Sequence, residues 1–539
     1  MERSRSTLQD GICKCNMMRI LIQGRDDGND EEMKYTVDTV AGTDLPIYIG
    51  GEWRTPRSGS YLDSFDPANG APWYRAADGS ADDINDAVEA AAAAARNPAW
   101  RAMNQTDRGL LVSRLADLIE QNAEALAQVE SRDNGKLLRE MQAQMAYLPG
   151  YYRYFAGMAD KIQGDVIPVN KPDILNFTMR EPIGVVGVIV PWNSPLYMMS
   201  CTVAPSLAVG NCVVIKPSEH TSASAIAFAE LVAEAGFPDG VFNVVSGYGH
   251  TSGDALTRHS GIGKIAFTGG TETGRKVASN AGQILVPCNL ELGGKSPHVV
   301  FADADLERAS NGLVSGIFAA AGQTCVAGSR CFVQSSIHDE IVDRLKEKAQ
   351  AIQIGHPRDE ATQLGPLALA SQLEKVARYI GFGLEDGAQL VTGGAQPKRD
   401  DLQGGWYYEP TVFAKADNTM RVARDEIFGP VASVIKFDDE ADLIEMANDT
   451  AFGLASGIWT RDIDRALRFA KGIDAGTVWI NTYRAPSVMT PSGGFKDSGY
   501  GKHNGFEAVR ELTRLKSVVI DHSGSSHDPF VMKLGGSDK

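Results

Sequence analysis

Seven cysteines in 539 residues, odd in number and irregularly spaced, are too few for a disulfide framework and fit reduced thiols. Long apolar runs are missing as well. Stretches such as Gly184 to Val190 are far too short to span a bilayer, and the patch Met17 to Ile22 falls short of a signal-peptide core. Basic charge is in deficit: 52 Lys and Arg stand against 68 Asp and Glu, a net charge of −16. That balance argues against a nucleic-acid or anionic-membrane partner, while leaving room for a local basic pocket that takes a phosphorylated cofactor. Metal-ligand spacing is absent too. Cys13 and Cys15 have no second Cys or His pair behind them, and the nine histidines include no H-E-x-x-H. The expectation is a cytoplasmic protein without a metal centre.

What the chain does have is an ordinary globular composition, 43% hydrophobic and 22% charged, at a length that suits two to four domains of roughly 150 residues. Residues 1–44 mix Arg, Asp, Gly and Asn without apolar period and read as a disordered, solvated extension, with Met33 standing just ahead of the patterned core. Asp82 to Arg96 is Ala-rich helix. The segment 106–160 is mostly helical, with Thr106 as a cap and Leu111, Leu115 and Leu118 at helical spacing. From Gly184 short β-branched runs alternate with helices, first through Val185–Val190, Val213–Ile215, Val241–Val245 and Ile265–Phe267. A second set runs from Pro297–Val300 to Val431–Ile435 and Thr477–Ile480. This alternation predicts an α/β protein with two parallel-sheet domains, whose ligands sit beyond the carboxyl ends of strands.

Several loops at such ends could carry chemistry. Pro191-Trp192-Asn193-Ser194-Pro195 is a rigid loop that holds an amide donor suited to an oxyanion, or a loop packed for stability. Lys216-Pro217-Ser218-Glu219 sets a cation and a carboxylate where they suit ribose hydroxyls, or form a surface ion pair. Thr268 to Gly274 is a Gly-rich strand-to-helix turn that could approach a pyrophosphate. It is not a P-loop, because Arg275 and Lys276 stand where Lys and Ser/Thr are required. Cys325, in Gly322-Gln323-Thr324-Cys325-Val326-Ala327-Gly328-Ser329-Arg330, has small and polar neighbours that could leave a thiol accessible. Glu291 is a lone carboxylate in the apolar, Gly-rich Leu290–Gly294, where burial would make it a base near neutrality.

Together these segments resemble the aldehyde dehydrogenase superfamily of the hydrolytic, non-acylating type, in the family's order over about residues 45–520. The motifs include LELGGKSP (Leu290–Pro297), GQTCVAGSR (Gly322–Arg330), EIFGP (Glu426–Pro430) and Asn481 with Gly493 to Gly499. The resemblance implies a Rossmann-like cofactor domain (45–290) with a five-stranded sheet, and an α/β catalytic domain (291–495). It also implies a small β oligomerisation extension, built from 161–180 and the 496–521 return and making dimers or tetramers, before a 522–539 tail. It implies Cys325 as nucleophile, Asn193 with the Cys325 backbone N–H as oxyanion donors, and Glu291 as the base that activates water. It implies NAD, with NADP as the alternative, held by Lys216 and Glu219 at the adenosine ribose and by Glu426 and Phe428 at the nicotinamide ribose. Val190, Pro191, Trp192, Thr268, Gly269, Gly270, Gly274 and Leu292 would complete the cofactor site.

Two departures bear on function. The Lys and Glu that relay protons from the base in many relatives are here Thr202 and His503, which become the candidate relay. The tunnel set Met198, Arg484 and Ser492 lies with a stretch, Thr482 to Ser492, poor in the large aromatics of relatives that take fatty aldehydes. The expected reaction is NAD-dependent oxidation of a polar or carboxylate-bearing aldehyde to its acid. The rivals are a CoA-acylating semialdehyde dehydrogenase, against which Glu291 speaks, and a catalytically silent binding or structural protein. Against the latter stands the joint presence of Cys325, Glu291 and Asn193.

Overall fold

A computed structural model of the chain describes residues 35–525 and Phe530; Cys13, Cys15, Met33 and the rest of residues 1–34, with most of the 522–539 tail, lie outside the described residues. Packed structure has already begun at Tyr35. Thr36 opens a short helix, Val37–Val40, through a reciprocal capping box with Thr39, and Val40 is fully buried. The boundary drawn at residue 44 is therefore too late, because so short a helix shows no apolar period in sequence. The helix Gln105–Gln121 likewise starts from Asn104, whose side chain accepts the Asp107 N–H, rather than from Thr106. Asparagine is the stronger cap.

Five parallel strands form the centre of the first sheet, in the order Cys288–Glu291, Lys264–Thr268, Val185–Ile189, Cys212–Lys216, Phe242–Val244. Antiparallel edge strands widen it to eight: Gly499–Tyr500 beside Cys288–Glu291, and Ile47–Ile49 with Glu52–Arg54 beyond Phe242–Val244. The strand order reverses between Val185–Ile189 and Lys264–Thr268. The crevice for a ligand opens there, at Val190 and Thr268. Cys212–Lys216 is buried at every position, as a strand covered by helices on both faces must be.

The second sheet has seven strands, ordered Gln389–Thr392, Thr411–Ala416, Val431–Phe437, Arg330–Gln334, Pro297–Val300, Ala455–Trp459, Thr477–Ile480; only the first runs antiparallel. This sheet departs from the carboxyl-end placement of ligands. The loops carrying Cys325, Glu426 and Gly293-Gly294 all lead into strands of this sheet, so they gather at its amino ends. The carboxyl-end rule holds for the first sheet, and the second meets that crevice with its strand starts. A third, three-stranded antiparallel sheet pairs Thr513–Asp521 with Ile174–Pro182, which also pairs Val166–Ile167. It leaves Val166, Leu175, Met179, Leu515, Val519 and Ile520 exposed. No helix among the described residues is long and apolar enough to cross a membrane.

Candidate active site

The turn ahead of the Arg330–Gln334 strand is sharply bent. Ala320 and Ala321 hold left-handed φ values of 55° and 53°, and Gly322 follows at 72°. A Cβ on Gly322 would lie 2.1 Å from the Gly429 carbonyl oxygen, so glycine alone lets the turn pass the neighbouring loop. Cys325 emerges from this turn half-buried. Its loop is pinned from several sides. Tyr483 donates its hydroxyl to the Val326 carbonyl at 2.8 Å, and the Asn193 amide donates to the Gln323 carbonyl at 3.0 Å. Asn193 therefore faces the loop of the cysteine, and its amide nitrogen carries a second N–H. Burial pushes the Cys325 thiol up to about 12; Glu291 and Glu426 push the same way, and the backbone N–H groups of Cys325 and Val326 oppose them.

Glu291 ends its strand with backbone pairing on both sides, to Thr268 and Gly499. Its Oε1 is buried without a hydrogen-bond partner. Burial lifts the carboxyl to about 8, with Lys502 pulling it down. Gly493, at φ 154°, lies between the two: a Cβ there would be 3.1 Å from both Glu291 Oε1 and Lys502 Cδ. Lys502 Nζ donates to the Gly493 carbonyl at 3.2 Å. A buried, unpartnered carboxyl that titrates near neutrality can serve as a base.

Thr202 and His503, the candidate relay, make no hydrogen bond to Glu291 or to each other among the described residues. Burial and the nearby Lys264 ammonium drop the His503 imidazole to about 4, so it is uncharged at neutral pH, and its Nε2 has no partner. Its backbone exchanges two hydrogen bonds with Ser492, a structural pairing, and Thr202 is buried within the helix Pro195–Val209. The charged neighbour of Glu291 is Lys502, one residue earlier. Adjacent residues of an extended segment point opposite ways, which sequence position alone does not resolve.

The residues expected at a dinucleotide lie on loops at the carboxyl ends of the first sheet and the amino ends of the second. Thr268-Gly269-Gly270 runs from strand end to the start of helix Thr271–Gln283, and the space beside the Gly270 Cα is open. A Cβ on Gly274 would meet Leu292 at 2.4 Å, so the helix packs tightly on the stretch after Glu291. Lys216 is buried at its strand end, 3.6 Å from Glu219, and its Nζ donates to the Pro217 carbonyl. Across the crevice Glu426 accepts the Gly294 N–H at 3.0 Å, and Phe428, at φ 59°, meets the Trp192 ring edge-on at 5.3 Å. Val190 and Pro191 join Trp192 to the strand Val185–Ile189. A Cβ on Gly293 would fall 2.4 Å from the Glu426 carboxylate, so bare backbone is required under it. Glycine backbone at a helix start, flanked by a Lys–Glu pair and a second carboxylate, fits a dinucleotide.

Arg484, at φ 54°, reaches the Ser315 carbonyl at 3.4 Å, and its charge is felt at Lys136 and Tyr483. Met198 is half-buried on the helix after Asn193. Ser492 is committed to its own loop, accepting from the Asn504 amide at 3.1 Å. Aromatic rings do come near Cys325, Tyr483 from this stretch and the others from helices elsewhere in the chain. Tyr197 and Tyr483 both lie within its electrostatic reach, and Tyr147 and Tyr151 sit 6.2 and 6.3 Å from Tyr197. The stretch 482–492 alone therefore understates the aromatic content. Sequence reasoning also missed Glu130, Lys136 and Glu140, because nothing local marks a charged residue as buried.

Comparison with known proteins agrees with this geometry. The family model described as "Aldehyde dehydrogenase family" matches residues 53–518. The chain is 44% identical to (Z)-2-((N-methylformamido)methylene)-5-hydroxybutyrolactone dehydrogenase of Acinetobacter baylyi, over 90% of this chain and 99% of that protein. It is 43% identical to betaine aldehyde dehydrogenase of Mesorhizobium japonicum, over 90% and 98%. Among solved structures, a point mutant of Staphylococcus aureus betaine aldehyde dehydrogenase, in complex with NAD+ and with a BME-modified cysteine, superposes with a TM-score of 0.89. It is 37% identical over 90% of this chain and 99% of that one. With its motifs in order and its two sheets meeting at one crevice, the chain belongs to the aldehyde dehydrogenase family, the NAD(P)-dependent oxidoreductases that act on the aldehyde group.

Proposed function

We propose that Cys325, Glu291 and Asn193 carry NAD-dependent oxidation of a polar, carboxylate-bearing aldehyde to its acid. The Cys325 thiolate adds to the carbonyl carbon and makes a thiohemiacetal, whose oxyanion takes the free Asn193 N–H and the Cys325 backbone N–H. NAD, when bound, supplies the hydride acceptor. Loss of hydride leaves a thioester on Cys325. Glu291 then takes a proton from water, the hydroxide attacks the acyl carbon, and the thiolate leaves. The observation that carries this reading is the meeting of a half-buried thiol, an unpartnered buried carboxyl and an amide donor at one crevice. Aldehyde-dependent NADH formation by the purified protein tests it, and protein that binds NAD but forms no NADH with any aldehyde overturns it.

Two finer points of this reading make predictions. Arg484 and Lys136 are neighbouring cations, Lys136 within electrostatic reach of Cys325, and a substrate carboxylate would pair with the more exposed Arg484. Arg484→Ala should lower kcat/KM for anionic aldehydes by about ten-fold to a thousand-fold and leave neutral aldehydes nearly unchanged. Equal losses for both would remove the pairing. At the adenosine end, the Glu219 carboxylate repels a 2′-phosphate, so kcat/KM with NAD should exceed that with NADP by about ten-fold or more. Equal efficiency with NADP would contradict that assignment.

Two further inferences concern setting. The exposed apolar side chains of the three-stranded sheet, Val166, Leu175, Met179, Leu515, Val519 and Ile520, support a homodimer or homotetramer built through it. Five unpaired cysteines among the described residues fit a reducing compartment such as the cytoplasm.

A further inference from the structure

Three charged residues of one helical hairpin reach the two loops that carry Asn193 and Cys325. Gly135, at φ 76°, turns the chain between helices Ala123–Asn134 and Leu138–Met158, where a Cβ would lie 2.9 Å from both Pro67 and Pro366. Lys136 follows, its N–H held by Asn134 Oδ1 at 3.0 Å and its carbonyl by the Ser131 hydroxyl at 2.7 Å. A fixed backbone aims the side chain inward. Lys136 is 5% exposed, and its ammonium donates to Ser194 Oγ at 2.6 Å. Ser194 is the residue after Asn193, and its hydroxyl makes no helix cap of its own.

The flanking carboxylates fasten the same loops. Glu130 Oε1 accepts the Leu196 N–H at 2.6 Å and the Ser224 hydroxyl at 3.1 Å, so it caps the helix that begins beside Asn193. Glu140 Oε1 accepts the Ala320 N–H at 3.1 Å, within the left-handed turn ahead of Cys325. The charges that act on Lys136 are those of Glu140, Arg484, Glu130 and Cys325. Cys325 also feels the Glu291 and Glu426 carboxyls, which push its pKa up. Cys201, Tyr197 and Tyr483 also lie in its reach, and they are neutral groups in the working pH range. A thiolate at this point faces two carboxyls that repel it when they are ionised, and a fixed cation offsets that repulsion.

We propose that Lys136 is a positioning residue for the reaction at Cys325, holding the Asn193 loop through Ser194 and supplying the buried positive charge that balances the thiolate against Glu291 and Glu426. This rests on Cys325 as the nucleophile. Burial lowers the Lys136 pKa, and the carboxylates around it with the thiolate draw it back up, so the ammonium and the thiolate stabilise each other. A neutral donor in its place would keep the bond to Ser194 and lose the charge. A guanidinium would keep the charge.

The test is the pH dependence of Cys325 alkylation by iodoacetamide in the full-length protein without cofactor, followed by peptide mass spectrometry. Lys136→Gln should label about ten-fold more slowly than wild type at pH 7.5, with the midpoint moved up about one pH unit and the same limiting rate at high pH. Lys136→Arg should restore most of the wild-type profile. A wild-type profile in Lys136→Gln, or no rescue by arginine, overturns the proposal. Should Lys136→Gln fail to fold, by its circular dichroism, Lys136→Met carries the same measurement. Wild-type protein labelled at Cys325 must lose NADH formation; if it keeps activity, the assignment of the nucleophile has failed and not that of Lys136.

Discussion

Cys325→Ala is expected to lower aldehyde-dependent NADH formation by at least about 10⁴-fold while leaving NAD binding intact. The reason is chemical. No other described thiol can take over, because Cys201, Cys212, Cys288 and Cys331 are all buried, whereas Cys325 is partly exposed. Cys201 comes nearest, since Glu291 and Cys325 both act on it electrostatically, but it lies inside the helix Pro195–Val209 with little exposure. Steady-state NADH formation and NAD titration by fluorescence measure the two quantities. Activity within ten-fold of wild type would mean that the covalent route through Cys325 is wrong.

Glu291→Gln should separate the two halves of the reaction. Formation of the thioester does not need this carboxylate, whereas its hydrolysis does. Stopped-flow traces should therefore keep a burst of NADH close to one equivalent per active site, and steady-state kcat should fall by about 10²- to 10⁴-fold. The pH dependence follows from the sign of the shift. Burial lifts Glu291 to about 8, so at neutral pH most of it is protonated and cannot accept a proton from water. A wild-type kcat limited by hydrolysis should rise with pH through about 8 and level off above it. Lys502→Gln removes the cation that pulls this value down, so the rise should move to higher pH. A profile flat from pH 6 to 9 in wild type, with hydrolysis limiting, would contradict the assignment of Glu291.

Much of this site could be read from the chain, and what escaped reading has physical causes. Cys325, Glu291 and Asn193 stand in motifs whose chemistry is local: a thiol among small residues, a carboxylate in an apolar stretch, an amide between prolines. Four of the five parallel strands were legible because buried β-branched runs are continuous; Cys288–Glu291 has no β-branched residue and carried no such signal. The edge strands that widen the sheet to eight, such as Gly499–Tyr500, are too short to carry a pattern. Which of two adjacent residues faces a carboxyl is a property of the folded backbone, so sequence position did not single out Lys502 as the cation acting on Glu291. Tyr197 approaches Cys325 from a helix and Lys136 from the turn between two others, all remote in sequence, and the burial that gives Lys136 its leverage exists only once those helices pack. The amino-end placement of Cys325 and Glu426 depends on how the second sheet meets the first, which no local signal carries.

The covalent intermediate is the claim on which the rest depends, and it can be observed directly. Glu291→Gln mixed with NAD and an accepted aldehyde, quenched in acid within the burst and digested, should yield a Cys325 peptide heavier by the acyl group, with other cysteine peptides unchanged. Omitting NAD should leave the Cys325 peptide unmodified after quenching, because a thiohemiacetal reverts. Recovery of unmodified Cys325 from a complete reaction that has released its burst of NADH would show that oxidation proceeds without a thioester at this residue, and the mechanism would have to be abandoned.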